Sequence, residues 1–336
     1  MIREAIQKVV AGQHLTERET VDAMNEIMGG RATDAQIACF ITALRMKGET
    51  VEEITGAARV MREKATKIET KHPFVVDTCG TGGDGAHTFN ISTTAAFVVA
   101  GAGIPVAKHG NRAASSKCGS ADVLKALGVN IEISPAQVGR CIDEVGIGFL
   151  FAVALHGAMK YAIGPRREIG VRTIFNALGP LTNPAGAQAQ VIGVYDAALT
   201  EPLAAVLGKL GSQRAFVVHG GDGLDEITTT TTTRVSELAN GAVKTFTLDP
   251  TTLGLPKARS KDLAGDTPEA NAEITLAVLS GEKSPQRDIV VLNAAAAILA
   301  ADKAEDWRDG LALAAQSIDS GNAMKALEAL KRLSNA

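Results

Sequence analysis

Apolar residues recur at helical spacing through the opening part of the chain. Val21, Met24 and Met28 share one face, Ile37, Phe40, Ile41 and Leu44 a second, and Ile54, Ala57, Val60 and Met61 a third. A capping box precedes each face: Thr16 with Glu19, Thr33 with Gln36, and Thr50 with Glu53. Gly29-Gly30 and Gly48 end the helices between them. The N-terminus, MIREAIQKVV, carries acid and base early and reads as an ordinary helix, not a signal peptide. The pattern predicts a small all-helical domain over residues 1–71.

At His72-Pro73 the pattern changes to short apolar strands alternating with helices. Strands are predicted at Phe74 to Val76, Ile104 to Ala107, Asn130 to Ile133, Gly148 to Ala152, Gln190 to Tyr195 and Ala215 to Val218, with β-branched threonine adding strand character at Thr228 to Thr233. Helices are predicted at Ser92 to Ala102 and Ala121 to Leu127. Another starts at Ser134-Pro135 as N-cap and first helical residue. From Pro268 onward the chain is helical again. Such alternation predicts an α/β fold: a larger domain over 72–336 with a mainly parallel central sheet, in which ligands gather beyond the carboxyl ends of the strands.

Length and composition narrow the choices. A chain of 336 residues with 46% hydrophobic content suits two domains and a substantial core. The net charge of −3, from 34 basic and 37 acidic side chains, argues against a general nucleic-acid binder, which needs a basic face. Cys39, Cys79, Cys118 and Cys141 lie far apart without a C-x-x-C pair. This argues against a zinc site or a disulfide framework, and free thiols suit a reducing cytosol. The alanine-rich run Ile289 to Ala301 is too short for a membrane span and reads as a buried helix.

Three stretches carry candidate chemistry. Asp77-Thr-Cys-Gly-Thr-Gly-Gly-Asp-Gly85 follows a strand and leads into a helix near Asn90-Ile-Ser-Thr-Thr94. Glycines let backbone amides line one concavity, and a helix start is a natural phosphate seat. A ligand-free turn is the alternative, against which stand four glycines in six residues. Gly80, Gly82 and Gly85 also match G-x-G-x-x-G, but the second strand leads to Lys108 and His109 where a dinucleotide site needs an acid. No Gly-Lys-Ser/Thr follows the loop, so it is not a P-loop. The second stretch, Lys108-His-Gly-Asn-Arg-Ala-Ala-Ser-Ser116 with Gly119-Ser120, crowds cations, an imidazole, an amide and hydroxyls into a short turn that suits a polyanion bearing a sugar. The third, Asp225-Glu226, offers adjacent carboxylates for Mg²⁺ beside substrate oxygens and water; alone it would read as a surface turn. A weaker basic stretch, from His156 through Arg166-Arg167 to Arg172, offers a seat for an organic carboxylate.

Together these stretches resemble the anthranilate phosphoribosyltransferase family over nearly the whole chain. The carrying motifs are DTCGTGGDG, NIST, KHGNRAASS with GSAD, RTIFNALGPLTNPAG, and HGGDGLDE. Related nucleoside phosphorylases share the fold but carry lysine and histidine before the first glycines. The resemblance implies a nucleoside phosphorylase/phosphoribosyltransferase-like architecture, with residues from about 156 to 187 joining the helical domain. It implies transfer of a phosphoribosyl group from phosphoribosyl pyrophosphate to anthranilate, a step of tryptophan biosynthesis, by a Mg²⁺-dependent cytoplasmic homodimer. On this resemblance Gly80, Gly83, Asp84, Thr88, Asn90, Ile91, Ser92, Thr93, Lys108 and Ser120 belong to the donor site. The loop Gly110, Asn111, Arg112, Ala113, Ala114, Ser115 and Ser116 belongs to the substrate site as well. Ser92, Asp225 and Glu226 are metal positions. Gly80, Asn111 and Arg166 face anthranilate, and His109 and His156 line the same channel. Lys108, His109, Asn111 and Arg166 are the candidate catalytic residues. The family's usual histidine, then proline or serine, then Ala-Met-Lys and Pro-Val-Arg is replaced here by Leu155-His-Gly-Ala-Met-Lys160 and Gly164-Pro-Arg166.

Overall fold

In the computed structural model, which describes residues 1–113 and 117–336, the chain opens with four helices. They span Ile2–Val10, Glu17–Met28, Asp34–Lys47 and Val51–Lys64. All three capping boxes form, with Thr16, Thr33 and Thr50 accepting from the third helical amide and the partner Glu19, Gln36 or Glu53 returning the bond. Each box contributes about 1 kcal/mol. Glu53 does more than cap. It is fully buried, accepts from the Leu15 amide (2.9 Å) and the Thr50 amide (2.8 Å), and pairs with Lys47 at 2.8 Å. One carboxylate therefore ties three segments of the bundle.

Seven strands form one sheet: β1 (Val76–Gly80), β2 (Val106–Gly110), β3 (Ile147–Phe151), β4 (Ala189–Gly193), β5 (Arg214–Gly220), β6 (Thr233–Ala239) and β7 (Ala242–Leu248), ordered β3-β2-β1-β4-β5-β6-β7. The first five are parallel, and β6 and β7 join antiparallel. Side chains alternate across the sheet. Val191, Phe216 and Val218 face a core closed by the helices Ile91–Gly101, Pro285–Ala300, Trp307–Asp319 and Asn322–Ser334. Ile192, Val194, Ala215 and Val217 face the other way, into a core shared with the helix Thr200–Lys209 and with the N-terminal bundle. The helices Lys160–Ile169 and Ile174–Leu181, inserted between β3 and β4, join that second core. The alanine-rich run Ile289 to Ala301 is buried along its whole length, as its pattern predicts.

The strands differ from the predicted ones in an informative way. β1 and β2 lie later than expected, so Asp77 to Gly80 and Lys108 to Gly110 are strand, not loop. Their polar side chains are tolerated because each is satisfied: Asp77 accepts from the His109 amide (3.0 Å) and from Asn183 (2.8 Å), joining β1 to β2. Asn130 to Ile133 is not a strand; its first amide donates to the Ser334 hydroxyl instead. Of Thr228 to Thr233 only the last residue enters β6. Thr228 and Thr230 turn their hydroxyls to Asp222. The β6–β7 hairpin was not predicted, although its Asn240-Gly241 turn, with φ of 51° and 75°, is the favoured two-residue type.

Burial alone would raise the Glu53 carboxyl, but the Leu15 amide, the Lys47 ammonium and the Thr50 amide outweigh it and hold it below the ordinary glutamate value of 4.5. A carboxyl lowered on folding contributes stability above that value and loses it as pH falls through the lower folded one. Glu53→Gln leaves Lys47 buried without its partner and costs about 3–5 kcal/mol at neutral pH. In denaturant unfolding, the gap between this variant and the unmodified protein narrows as pH falls below 4.5.

Candidate active site

The carboxyl ends of β1, β2 and β4 and the loop after β5 converge on Asp225 and Glu226. Leu224 and Ile227 on either side are buried in the core, 1% and 0% exposed, and drag the two acids inward. Asp225 Oδ2 accepts from the Gly82 amide at 2.7 Å, and Glu226 Oε1 accepts from the Ser92 amide at 3.0 Å. Glu226 therefore sits at the start of the helix Ile91–Gly101, where the helix dipole favours an anion. The pair is costly nonetheless. Burial raises Asp225 well above the usual carboxylate range, with the Glu226 and Asp84 charges adding to it. Burial likewise pushes Glu226 up to about 7, against the pull of Lys108 and Ser92.

Room for these acids comes from two strand-end glycines. A Cβ on Gly80 would lie 2.4 Å from Asp225 Oδ2, and one on Gly193 only 1.5 Å from the Asp225 carbonyl oxygen. Gly193 was missed in the sequence because it lies in no recognisable motif. The donor set is hard oxygen throughout: Asp225, Glu226 and the nearby Ser92. Among the described residues no group of three or more His, Cys, Asp or Glu forms a complete cage. A metal here would take its remaining ligands from substrate and water, which is the habit of Mg²⁺.

Beyond Gly80 the first loop follows its glycines. Gly82, Gly83 and Gly85 have φ of 66°, 75° and 73°, a region that disfavours side chains. Asp84 meets the Asp225 amide at 3.4 Å. Arg172 donates to the Gly83 carbonyl and stacks over Tyr195, its guanidinium carbon 4.2 Å from the ring centre. Arg172 therefore braces this loop and does not stand free as a carboxylate seat. Thr88 bridges to Ala264. Asn90 begins the following helix without capping it. Its side chain donates to the Cys118 carbonyl (3.2 Å) and accepts from Asn271 (3.0 Å). Ile91 and Thr93 are buried, Ile91 in the core beneath the loop.

The second motif is divided in the same way. Lys108 is buried, 3% exposed, and donates to the Thr78 carbonyl, so it does not project from a loop as its position in the motif suggested. From there its charge favours the ionised forms of Asp77 and Glu226. Gly110 gives way to Ser120, whose hydroxyl lies 2.1 Å from where a Cβ would stand. Ser120 and the Asn111 backbone exchange hydrogen bonds at 3.2 Å, and Asn111 Oδ1 accepts from the Arg112 amide at 2.8 Å. Arg112 turns away to Glu132 and lies over Phe151. Asp122 closes the loop from below, accepting from the Ala113 and Gly119 amides, both at 2.9 Å. The expectations for Ala114, Ser115 and Ser116 fall outside the described residues.

The segment between β3 and β4 supplies the other side. His156 meets His109 with ring nitrogens 3.2 Å apart. Both are buried; burial lowers His109 to about 3 and His156 to about 4, so the pair is neutral at physiological pH. Arg166 is partly buried, lies over the Phe175 ring at 5.1 Å, and forms no ion pair among the described residues. A partly desolvated guanidinium without a counter-ion is a receptor for a carboxylate. Sequence reasoning also missed the residues behind these groups. Asp77, Asn183 and Asn293 are buried polar side chains that fix the strands and loops, and their signal is only an isolated polar letter; the exposed Asp222 fixes the loop after β5 from outside.

Comparison with known proteins identifies the family. Residues 3–65 match the helical bundle domain of a glycosyl transferase family, and residues 72–324 match its a/b domain. The anthranilate phosphoribosyltransferase of Moorella thermoacetica is 62% identical over 98% of this chain and 97% of its own. That of Symbiobacterium thermophilum is 60% identical over 99% and 98%. The crystal structure of the Thermus thermophilus anthranilate phosphoribosyltransferase superposes with a TM-score of 0.94 at 44% identity, covering 99% of both chains. The Saccharomyces cerevisiae enzyme in complex with PRPP and Mg superposes at 0.89 with 29% identity, covering 99% of this chain and 98% of that one. With its bundle, its mostly parallel sheet and its matching motifs, the chain belongs to the anthranilate phosphoribosyltransferase family.

Proposed function

We propose that this protein transfers the phosphoribosyl group of phosphoribosyl pyrophosphate to the amine of anthranilate, releasing pyrophosphate, in tryptophan biosynthesis. The observation that carries the reading is the Asp225-Glu226 pair, half-buried and buried, bonded to the Gly82 and Ser92 amides, together with an Arg166 that forms no ion pair among the described residues. Asp225, Glu226 and Ser92 would hold Mg²⁺, which supplies positive charge to the pyrophosphate oxygens as they depart. The amides of the Gly82 to Gly85 loop, with Thr88, Asn111 and Ser120, would cradle the phosphates and ribose. Lys108 would act behind the metal ligands, favouring the ionised form of Glu226. Arg166 would bind the anthranilate carboxylate, with Asn111, His109 and His156 placing the ring.

The nitrogen lone pair attacks C1 of the ribose while the bond from C1 to the pyrophosphate oxygen breaks, and pyrophosphate leaves with that electron pair. The added amine then loses one proton to solvent or pyrophosphate. An aromatic amine is neutral and nucleophilic at pH 7, so positioning contributes more than a strong base. A cytoplasmic homodimer joined through the helical bundle belongs to the same proposal; among the described residues no helix is long and apolar enough to cross a membrane.

The deciding measurement is loss of anthranilate fluorescence on adding phosphoribosyl pyrophosphate, with and without Mg²⁺. Turnover is expected only with the metal, and phosphorolysis of thymidine or uridine without anthranilate turnover would place the protein with the nucleoside phosphorylases instead. Asp225→Asn or Glu226→Gln should lower kcat by about 100-fold, the scale on which removing one transition-state charge contact acts. Arg166→Ala should chiefly raise KM for anthranilate, by roughly 10- to 100-fold, the equivalent of about 1.5–3 kcal/mol for a charge-assisted bond. Near-normal kinetics in all three variants would sink the assignment.

Gly193→Ala tests the cradle separately. Its methyl would press on a backbone oxygen that cannot rotate away, so the whole loop must shift. Activity should fall by about 100-fold while circular dichroism stays that of a folded protein. Full activity would show that the loop position is not critical.

A further inference from the structure

Asn293 stands in the middle of the helix Pro285–Ala300, among alanines and branched apolar residues that are nearly all buried. It is itself 2% exposed. An amide in such a place is expensive unless every polar atom is used. Here all of its bonding groups are engaged. Its Oδ1 accepts from the Ile227 amide at 3.0 Å, and its Nδ2 donates to the Ile227 carbonyl at 2.8 Å and to the Ile289 carbonyl at 2.9 Å. The side chain thus grips both peptide groups flanking Ile227. The first of those peptides is the one that joins Ile227 to Glu226. Fixing its plane fixes the direction from which the Glu226 side chain leaves the backbone. On the far side of the loop Asp222 accepts from the Thr228 hydroxyl (2.7 Å) and the Leu224 amide (3.3 Å), so the loop is held at both ends and Asn293 holds the end nearer Glu226.

We propose that Asn293 is a positioning residue for the metal-binding carboxylates, acting through the Glu226–Ile227 peptide. The inference rests on the reading of Asp225 and Glu226 as the metal and pyrophosphate site. Without the amide, the Ile227 N–H and C=O are left buried and unpaired. The loop recovers their bonds only by rotating toward water, which carries Glu226 off the position it shares with Ser92. Metal affinity falls while the fold, built on the apolar remainder of the helix, persists.

The test measures binding rather than turnover. Phosphoribosyl pyrophosphate is titrated into the full-length protein by calorimetry at a series of Mg²⁺ concentrations, comparing the unmodified protein, Asn293→Ala and Leu292→Ala. Leu292 is equally buried on the same helix and touches no loop hydrogen bond, so its variant loses stability through a cavity alone. The Mg²⁺ concentration giving half-maximal donor binding is expected to rise at least tenfold in Asn293→Ala and to stay within twofold in Leu292→Ala. An unchanged requirement in Asn293→Ala, or equal shifts in both variants, would overturn the proposal. If Asn293→Ala does not fold, Asn293→Ser is judged by the same criterion, and failure of both to fold would make the residue a determinant of folding and overturn the positioning role. Absence of Mg²⁺-dependent donor binding in the unmodified protein would count against the functional reading instead.

Discussion

Two adjacent carboxylates, Glu226 buried and Asp225 half-buried, drawn in beside the carboxyl ends of parallel strands set the terms for everything around them. Like charges about 4 Å apart repel by about 4 kcal/mol even at the screening typical of a protein surface, and desolvation adds to that. The chain cannot relieve the strain by turning the loop outward, because Leu224 and Ile227 are buried on either side. It supplies partial compensation from the Gly82 and Ser92 amides and from the charge of Lys108. The balance still favours protonation, as the raised Asp225 and Glu226 values indicate. In the proposed reading, a hard divalent cation would remove that imbalance directly, so the cost of bringing the two acids together would favour binding it.

The same layout shows which elements supply each half of the proposed site. Donor-side groups all come from strand ends and the loops after them, so their spacing follows the strand spacing of the sheet. Acceptor-side groups, His156 and Arg166, come from the insertion between β3 and β4, whose helices are packed into the same core as the N-terminal bundle. The two halves of the proposed site therefore meet through the sheet, one at its strand ends and the other through the core on one face. Arg172 is one direct link between them, bonding from between the two helices of that insertion to the Gly83 carbonyl.

Much of this was legible in the sequence because local rules agreed with the global fold. Capping boxes, apolar periodicity and the glycine loop each point the same way, and Asp225-Glu226 lies where the motif places it. What was not legible shares one physical trait: it depends on partners distant in the chain. Asp77 to Gly80 and Lys108 to Gly110 read as loop because polar letters suggest exposure, yet Asn183, the His109 amide and the Thr78 carbonyl satisfy them inside the sheet. Asn293 reads as a blemish in an alanine helix until Ile227 is seen beside it. The β6–β7 hairpin is different. Its Asn240-Gly241 turn was a local signal that the alternation of strands and helices overshadowed.

The histidine pair shows how the acceptor side avoids competing with the donor side. A charged imidazole beside Lys108 would add positive charge in a place already short of water, and both histidines are lowered until they stay neutral. Their contact requires one ring nitrogen to donate and the other to accept, so a single proton lies between them. Neither ring is then a competent base at neutral pH, since each gives up its extra proton far below it. In the proposed reaction no such base is needed before bond formation, and Arg166 remains the side chain whose charge selects a carboxylate. On this proposal, specificity on that side would rest on one cation and a neutral wall, while charge stabilisation would be confined to the pyrophosphate end, where the electrons arrive.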